Sequence, residues 1–237
     1  MSHAIDDPAY VHEQYADESN LEARKSAYAD CEGVDPWLVL WGLVVAAHPE
    51  RVLEVGGGPG ELAARIVGEL QCELVGIDQS ERMVEIQRSK GVDARVGDAQ
   101  ALPFGDDEFD LAVAAWMLYH VADVDRALAE LARVLRPGGR LVAVTNSADH
   151  LLELHQLAGT PKRDREWVFR SENGEALLQP HFSRIEAHDV SGWVTMDDAS
   201  MRAYAGSWDL LAPILQLPPQ EPLRIRRRTT IFVAEAA

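Results

Sequence analysis

The sequence predicts an α/β fold: a doubly wound, mostly parallel sheet of seven strands with an antiparallel edge strand and helices on both faces. Between residues 51 and 145, short apolar segments alternate with amphipathic segments of helical period, a rhythm typical of parallel sheets. The glycine cluster Gly56-Gly57-Gly58 follows one apolar segment and precedes a helical pattern. This order indicates a strand, a tight turn and the start of a helix.

Local signals place the individual elements. The predicted strands are apolar or alternating segments at 51–55, 73–77, 92–96, 109–114, 140–145, 182–194 and 229–234. One predicted helix begins at Asn20, and the others cover 35–47, 61–70, 80–89, 123–135, 149–157 and 171–178. Asp35, Ser80 and Asp123 are predicted N-caps, and Pro137-Gly138-Gly139 is predicted to end a helix. The last two strands are expected to form an antiparallel pair at one edge of the sheet.

The composition excludes several classes of function. The chain has 237 residues, enough for one α/β domain, so we expect a single domain over 1–237. No apolar run approaches the ~20 residues that span a bilayer. Two cysteines form neither a disulfide framework nor a metal-ligand cluster. A net charge of −17 opposes nucleic-acid binding, which relies on basic side chains. We therefore expect a cytoplasmic protein that binds neither nucleic acid nor a membrane.

One basic cluster interrupts this acidic sequence, and it comprises Arg224, Arg226, Arg227 and Arg228. A solvated approach to the last strand and a phosphate-binding patch are both compatible with it. The charge pattern favours the solvated approach.

The glycine cluster is the candidate binding element. Such a turn lets a ligand lie against backbone N–H groups at the positive end of a helix. A dinucleotide pattern counted from Gly56 would place a third glycine at position 61, where the chain has Glu61. Glu54 adds a second carboxylate beside the turn. Acidic groups there would repel a pyrophosphate and suit a cationic cofactor such as S-adenosylmethionine (SAM).

Two aspartates follow the next two strands. Asp78 lies about 20 residues beyond the turn, where doubly wound folds place an acid that binds ribose hydroxyls. Its alternative role is to cap the helix that follows. Asp98 could accept a hydrogen bond from an adenine amino group, with the N–H of Ala99 facing a ring nitrogen. Its alternative role is an aspartate-initiated turn.

These motifs resemble those of a known family. The segments 52–60, 97–99 and 135–141 are similar to motifs of the class I SAM-dependent methyltransferases, including quinone-biosynthesis and natural-product methyltransferases. The resemblance covers roughly 52–145. It implies a Rossmann-like fold that binds SAM and releases S-adenosylhomocysteine. It also implies methyl transfer to a small-molecule acceptor, at an O, N or C nucleophile, by in-line displacement.

The resemblance also implies site residues. The cofactor-binding set is Glu54, Gly56, Gly57, Gly58, Asp78, Gln79, Met83, Asp98, Ala99, Ala115, Trp116, Tyr15 and Arg24. Met83 and Trp116 could equally be plain core residues, and Trp37 and Trp41 are expected in the core. His120 is the candidate general base, with Tyr119 less favoured, although a structural role for His120 is also open. No histidine pattern predicts a metal site.

The predicted organisation divides the chain into three parts: an N-terminal helical lid at 1–48, a SAM-binding half at 49–146 and a substrate-side half at 147–237. The predicted partners are a small-molecule acceptor and, as one alternative for the assembly, a second copy in a homodimer. Two other functions stay open. One is a non-catalytic SAM-binding regulatory or scaffold protein, and the less favoured one is an NAD(P)-dependent oxidoreductase.

Overall fold

The computed structural model describes residues 19–26, 28, 31–160 and 168–237. The strands of this part are Cys31–Gly33 (β1), Arg51–Val55 (β2), Glu73–Asp78 (β3), Asp93–Val96 (β4), Phe109–Ala115 (β5), Leu135–Asn146 (β6), Arg184–Asp189 (β7), Gly192–Met196 (β8), Leu223–Arg227 (β9) and Thr229–Glu235 (β10). Its α-helices are Ser19–Ser26 (α1), Pro36–Ala46 (α2), Glu61–Glu69 (α3), Glu81–Ser89 (α4), Val124–Val134 (α5), Leu152–Ala158 (α6), Gly174–Leu178 (α7) and Asp198–Gly206 (α8). Two 3-10 helices cover Leu118–His120 and Asp209–Gln216.

The main sheet has seven strands in the order β4-β3-β2-β5-β6-β10-β7. From β2 the chain builds outward through β3 and β4, and then crosses to β5 on the other side of β2. The neighbours β2 and β5 therefore form the switch point at which ligands of doubly wound sheets bind. The predicted fold class is confirmed. The one antiparallel strand is β10, which lies between β6 and β7, so it is next to the edge strand and not at the edge.

Helices cover both faces of this sheet and create two separate cores. Alternate residues of each strand face opposite sides, so Leu53 and Ala112 contribute to one core and Val52 and Leu111 to the other. Helix α5 packs on the first core, whereas α2, α3 and α4 pack on the second. The central strands are apolar on both faces because both faces are buried.

A second, smaller sheet was not predicted. The segment 182–194, expected to be one strand, forms β7 and the separate strand β8, with β8 paired to β1 and β9. The basic segment, expected to be a solvated approach to a strand, forms β9 itself. A third apolar cluster lies around this sheet and helices α6 and α8, and it includes Leu154, Met196, Tyr204 and Ile225. The small sheet and this apolar cluster lie next to the carboxyl edge of the main sheet.

The predicted helix starts are correct where side-chain caps define them. The side chains of Asp35, Ser80 and Asp123 each accept a hydrogen bond from the first turn of their helix. The helix does not end at Pro137-Gly138-Gly139 as predicted. Helix α5 ends at Val134, and β6 begins at Leu135 and contains these three residues. They bulge out between the register pairs Phe109–Leu135 and Leu111–Arg140.

None of the helices within the described ranges is both long and apolar enough to cross a membrane.

The packing of α5 on the first core predicts a stability effect. Leu131 is fully buried there, so Leu131→Ala leaves a cavity and is expected to lower the free energy of unfolding by about 2–5 kcal/mol. The matched control is Leu38→Ala on α2, where Leu38 is 64% exposed and the change is expected to be below about 0.5 kcal/mol. Urea unfolding followed by circular dichroism measures both. Equal losses in the two variants would contradict this packing.

Candidate functional site

The turn after β2 contains three glycines in the left-handed region: Gly56 has φ 64°, Gly58 has φ 55° and Gly60 has φ 73°. Such backbone favours glycine. A Cβ at Gly56 would lie 2.7 Å from the Cβ of Met117. The Gly56 N–H donates to the Ile77 carbonyl at 2.7 Å, which joins the turn to β3. The turn therefore exposes its backbone at the switch point of the sheet.

Helix α4 holds this turn in place through a residue that the sequence analysis missed. Gln87 is fully buried, and its Nε2 donates to the Gly58 carbonyl at 2.8 Å. Lys90 Nζ donates to the next carbonyl, that of Pro59, at 2.8 Å. Gly76 in β3 leaves the room that the Gln87 side chain occupies. A glycine inside a strand, paired with a glutamine on a buried helix face, is the signal that could have identified Gln87.

Asp78 ends β3 and connects two parts of the site. Its Oδ2 accepts from the Gly58 N–H at 3.1 Å, and its Oδ1 accepts from the Ser80 N–H at 2.9 Å. Burial raises the pKa of Asp78, and the backbone hydrogen bonds from Ser80 and Gly58 oppose that rise. Because Ser80 provides the N-cap of α4, the carboxylate of Asp78 is not needed for capping.

Glu54 is buried within β2 beside the same turn. Its Oε2 is buried without a hydrogen-bond partner, and a Cβ at Gly57 would lie 2.5 Å from that oxygen. Burial, and then the nearby charge of Asp78, raise the pKa of Glu54 to about 7. No basic side chain of the described residues forms an ion pair with Glu54 or Asp78. This end of the site therefore holds acidic groups without a compensating cation.

Asp98 lies in the turn after β4, on the surface. Its Oδ1 accepts from the Gln100 N–H at 2.9 Å, and the Gln100 side chain also donates to its carboxylate. Asp98 therefore forms the aspartate-initiated turn that was its alternative role in the sequence analysis. Asp98 and the buried Ala99 also line the cavity described next, so the turn and a ligand contact are compatible.

A cavity of about 880 Å³ opens at the carboxyl edge of the main sheet. All but one of the predicted site residues line it: Arg24, Glu54, Gly56, Gly57, Gly58, Asp78, Gln79, Met83, Asp98, Ala99, Ala115, Trp116 and His120. The exception is Tyr15, which lies outside the described residues. Arg24 is buried, donates to the Ser207 carbonyl at 2.6 Å and stacks on Trp208 at 3.9 Å. Within the described ranges, no group of three metal-ligating side chains comes together.

Trp116 follows β5 and lines the cavity. Its φ is 56°, a strained conformation for a bulky residue that is common at functional sites. Its Nε1 donates to Asn146 Oδ1 at 3.2 Å, and its ring packs on Trp37 with centroids 4.9 Å apart. Trp37 is 42% exposed and lines the cavity, so the expectation of a core position was wrong for this residue.

Two pairs of titratable rings also line the cavity. His120 and Tyr119 are in edge-to-face contact with centroids 4.5 Å apart. His150 Nε2 lies 3.0 Å from Tyr28 Oη, and His150 Nδ1 lies 3.0 Å from the Arg228 backbone N–H. The sequence analysis missed the second pair because 122 residues separate its members. No local motif connects residues so far apart.

The fold and the turn define a class of protein: a doubly wound protein that binds a nucleotide-type cofactor at its switch point. Comparisons with known proteins narrow this class. Residues 53–143 match the family described as "Methyltransferase domain". The uncharacterized methyltransferase YcgJ of Bacillus subtilis is 31% identical over 183 residues, which are 73% of this chain and 72% of YcgJ. The YcgJ crystal structure gives a TM-score of 0.64 at 22% identity, covering 84% of this chain and 98% of that chain.

Two further relatives have named reactions. O-methyltransferase cnsE of Penicillium expansum is 40% identical over 112 residues, 44% of this chain and 41% of cnsE. The ubiquinone/menaquinone biosynthesis C-methyltransferase UbiE of Dinoroseobacter shibae is 40% identical over 104 residues, 40% of this chain and 42% of UbiE. The chain thus spans less than half the length of cnsE and of UbiE.

This chain belongs to the class I SAM-dependent methyltransferase family. The resemblance seen in the sequence is confirmed, and SAM is the cofactor of the family.

The raised pKa of Glu54 predicts how stability depends on pH in the cofactor-free protein. Between the ordinary value of 4.5 and about 7, the folded protein keeps a proton that the unfolded chain releases. Stability is therefore lost as the pH rises through this range. Glu54→Gln removes the effect, so its free energy of unfolding should rise relative to wild type by about 2 kcal/mol from pH 5.5 to pH 8.

Urea unfolding at the two pH values measures this difference. Glu221→Gln, the same change in an exposed loop, is the control and should show no such dependence. A pH-independent difference for Glu54→Gln would contradict the raised pKa.

Proposed function

We propose that this protein transfers a methyl group from SAM to a small-molecule acceptor. The observation that carries the proposal is the pair of buried carboxylates, Glu54 and Asp78, which face a glycine turn with no compensating cation among the described residues. A cofactor with a sulfonium and an ammonium group supplies the missing positive charge. A pyrophosphate would add to the negative charge.

The residues around the turn fit this cofactor. The backbone of Gly56, Gly57 and Gly58 would hold its amino acid portion, with the unpartnered Glu54 Oε2 next to the positive charge. Each carboxylate oxygen of Asp78 accepts one backbone hydrogen bond and can accept another from a ribose hydroxyl. The adenine would then contact the remaining members of the set, Gln79, Met83, Asp98 and Ala99.

The acceptor would occupy the other side of the cavity, beyond Ala115 and Trp116. Aromatic side chains there favour a flat or apolar molecule of modest size. In this proposal residues 49–146 bind the cofactor, 147–237 complete the acceptor pocket and 1–48 form a lid within one domain, 1–237. Tyr15 and Arg24 belong to that lid as further cofactor contacts. A cytoplasmic location stays a prediction.

The bound cofactor supplies an already activated methyl group. The contribution of the chain is to align an oxygen, nitrogen or carbon nucleophile and to exclude water. An acceptor hydroxyl must also lose a proton, and His120 is placed in the cavity wall to take it. The names of the relatives include an O- and a C-methyltransferase, so the family alone does not select the acceptor atom.

The family match favours neither of the two alternative functions. A SAM-binding protein without turnover has the same cofactor contacts but no need for an ordered acceptor pocket. A nicotinamide-dependent enzyme is disfavoured by Glu61, which stands where a dinucleotide motif has glycine and forms an ion pair with Lys25 at 2.7 Å. Calorimetric titration with SAM, S-adenosylhomocysteine and NADH distinguishes these alternatives, together with turnover assays on an acceptor panel.

The ribose assignment predicts the effect of Asp78→Ala. Loss of hydrogen bonds to a charged acceptor should weaken S-adenosylhomocysteine binding about tenfold to a hundredfold. Calorimetry measures the affinity. Asp93→Ala, at an exposed carboxylate on the neighbouring strand β4, is the control and should bind normally. An unchanged affinity in Asp78→Ala would remove Asp78 from the site.

The assignment of His120 predicts a selective loss of turnover. In His120→Asn, kcat for a hydroxyl acceptor should fall about a hundredfold or more, whereas the affinity for S-adenosylhomocysteine should not change. The same substitution at the exposed His48 controls for a general effect. Steady-state kinetics with an acceptor found by screening gives kcat. Normal turnover in His120→Asn would exclude it as the base and direct attention to Tyr28 and His150.

A further inference from the structure

The cavity wall contains a buried arginine that the proposed function does not use. Arg227 ends β9, is 4% exposed and lines the cavity. Its Nη2 donates to the Val34 carbonyl at 2.6 Å. Its Nε and Nη1 are buried and have no hydrogen-bond acceptor. Two donor groups of this guanidinium are therefore unsatisfied.

The small sheet leaves space for the side chain of Arg227. In the small sheet, Arg227 pairs with Gly192 of β8, and Gly192 pairs with Gly33 of β1. The guanidinium reaches past both glycines to Val34, the residue after Gly33. A Cβ at Gly192 would lie 2.9 Å from Arg227 Nη2. Gly192 thus leaves space that the arginine side chain occupies.

No carboxylate within the described ranges pairs with Arg227, although the chain is strongly acidic. On the same strand, Arg224 forms an ion pair with Glu32 at 2.9 Å, and Arg226 is exposed. An unpaired buried charge is unfavourable by several kcal/mol, on the order of the stability of a domain. A negatively charged partner that enters the cavity would remove this penalty.

The position of Arg227 assigns it to the acceptor side. Thr229, two residues later, pairs with Asn146 at the end of β6, and Asn146 is bonded to Trp116. Asp78 ends β3, which is three strands away from β6 in the sheet. At about 4.8 Å per strand, the two places are roughly 14 Å apart. The carboxylate of Asp78 is therefore separate from the end of β6 that lies near Arg227.

We propose that the methyl acceptor carries an anionic oxygen group, a carboxylate or a phosphate, and that the guanidinium of Arg227 binds it. A guanidinium recognises both groups through charge-assisted hydrogen bonds. The inference rests on the proposed function, since it names the class of molecule that occupies the acceptor side. The aromatic rings of Trp37 and Trp116 nearby suit a flat body attached to that anion.

Calorimetric titration of the full-length protein with benzoate and with inorganic phosphate, with and without S-adenosylhomocysteine, tests the proposal. We expect wild type to bind at least one of the two anions. Arg227→Met should weaken that binding at least about tenfold and leave S-adenosylhomocysteine binding unchanged. Arg226→Met removes the same charge from the opposite, exposed side of β9 and should bind the anion as wild type does.

Thermal unfolding provides a second measurement that does not require binding. In buffer without either anion, Arg227→Met should be at least as stable as wild type, because it removes an uncompensated buried charge. Benzoate or phosphate should raise the midpoint of wild type and not that of the variant. Arg227→Lys keeps the charge and should retain part of the anion effect.

The results of these titrations test the anionic acceptor separately from the proposed function. Binding of benzoate alone identifies a carboxylate, and binding of phosphate alone identifies a phosphate. If neither anion binds to wild type, or if Arg227→Met binds as tightly, the anionic acceptor is excluded. If wild type fails to bind S-adenosylhomocysteine, the proposed function fails, whatever the anions do.

Discussion

The close packing of the glycine turn after β2 is the constraint on which the rest of the site depends. Gly56 packs directly against Met117, Gly57 against Glu54, and Gly60 against Gln87. A Cβ at any of these glycines would clash with its neighbour. Each glycine therefore brings a functional neighbour to within van der Waals distance of the backbone. A side chain at any of these positions would force the turn to move, and this would change the shape of the cavity.

The charges of the cavity follow from this packing. The turn excludes water from Glu54 and Asp78, so both carboxyl groups have raised pKa values, and neither has a basic partner within the described ranges. The arginine on the acceptor side has no acidic partner there either. The unsatisfied charges of opposite sign lie in different parts of the cavity wall, with Asp78 on β3 of the main sheet and Arg227 on β9 of the small sheet. Such an arrangement lowers the stability of the empty protein and prepares it for a ligand with the complementary pattern.

Local signals in the sequence predicted the main sheet around the glycine turn, and they did not predict the small sheet. The caps Asp35, Ser80 and Asp123 act within one helical turn, and the strands β2, β3, β5 and β6 have clear apolar patterns, so the main sheet could be predicted. The strands β1, β8 and β9 are short and pair only with distant segments, which leaves no local pattern. Arg227 was grouped with its exposed neighbours for the same reason, because its burial depends on its pairing with Gly192 in a distant strand. Gln87 was missed because a polar residue on an amphipathic helix normally faces solvent.

The small sheet also determines when the two sides of the cavity can form. The strands around the glycine turn, β2, β3 and β5, pair residues about 20 to 60 positions apart. The pairing of β1 with β8 joins residues about 160 positions apart, and such long-range contacts form late in folding. On the ribosome, β1 must wait for nearly the whole chain before its partners emerge. Until then the part of the cavity wall that Gly33 and Arg227 form cannot be complete.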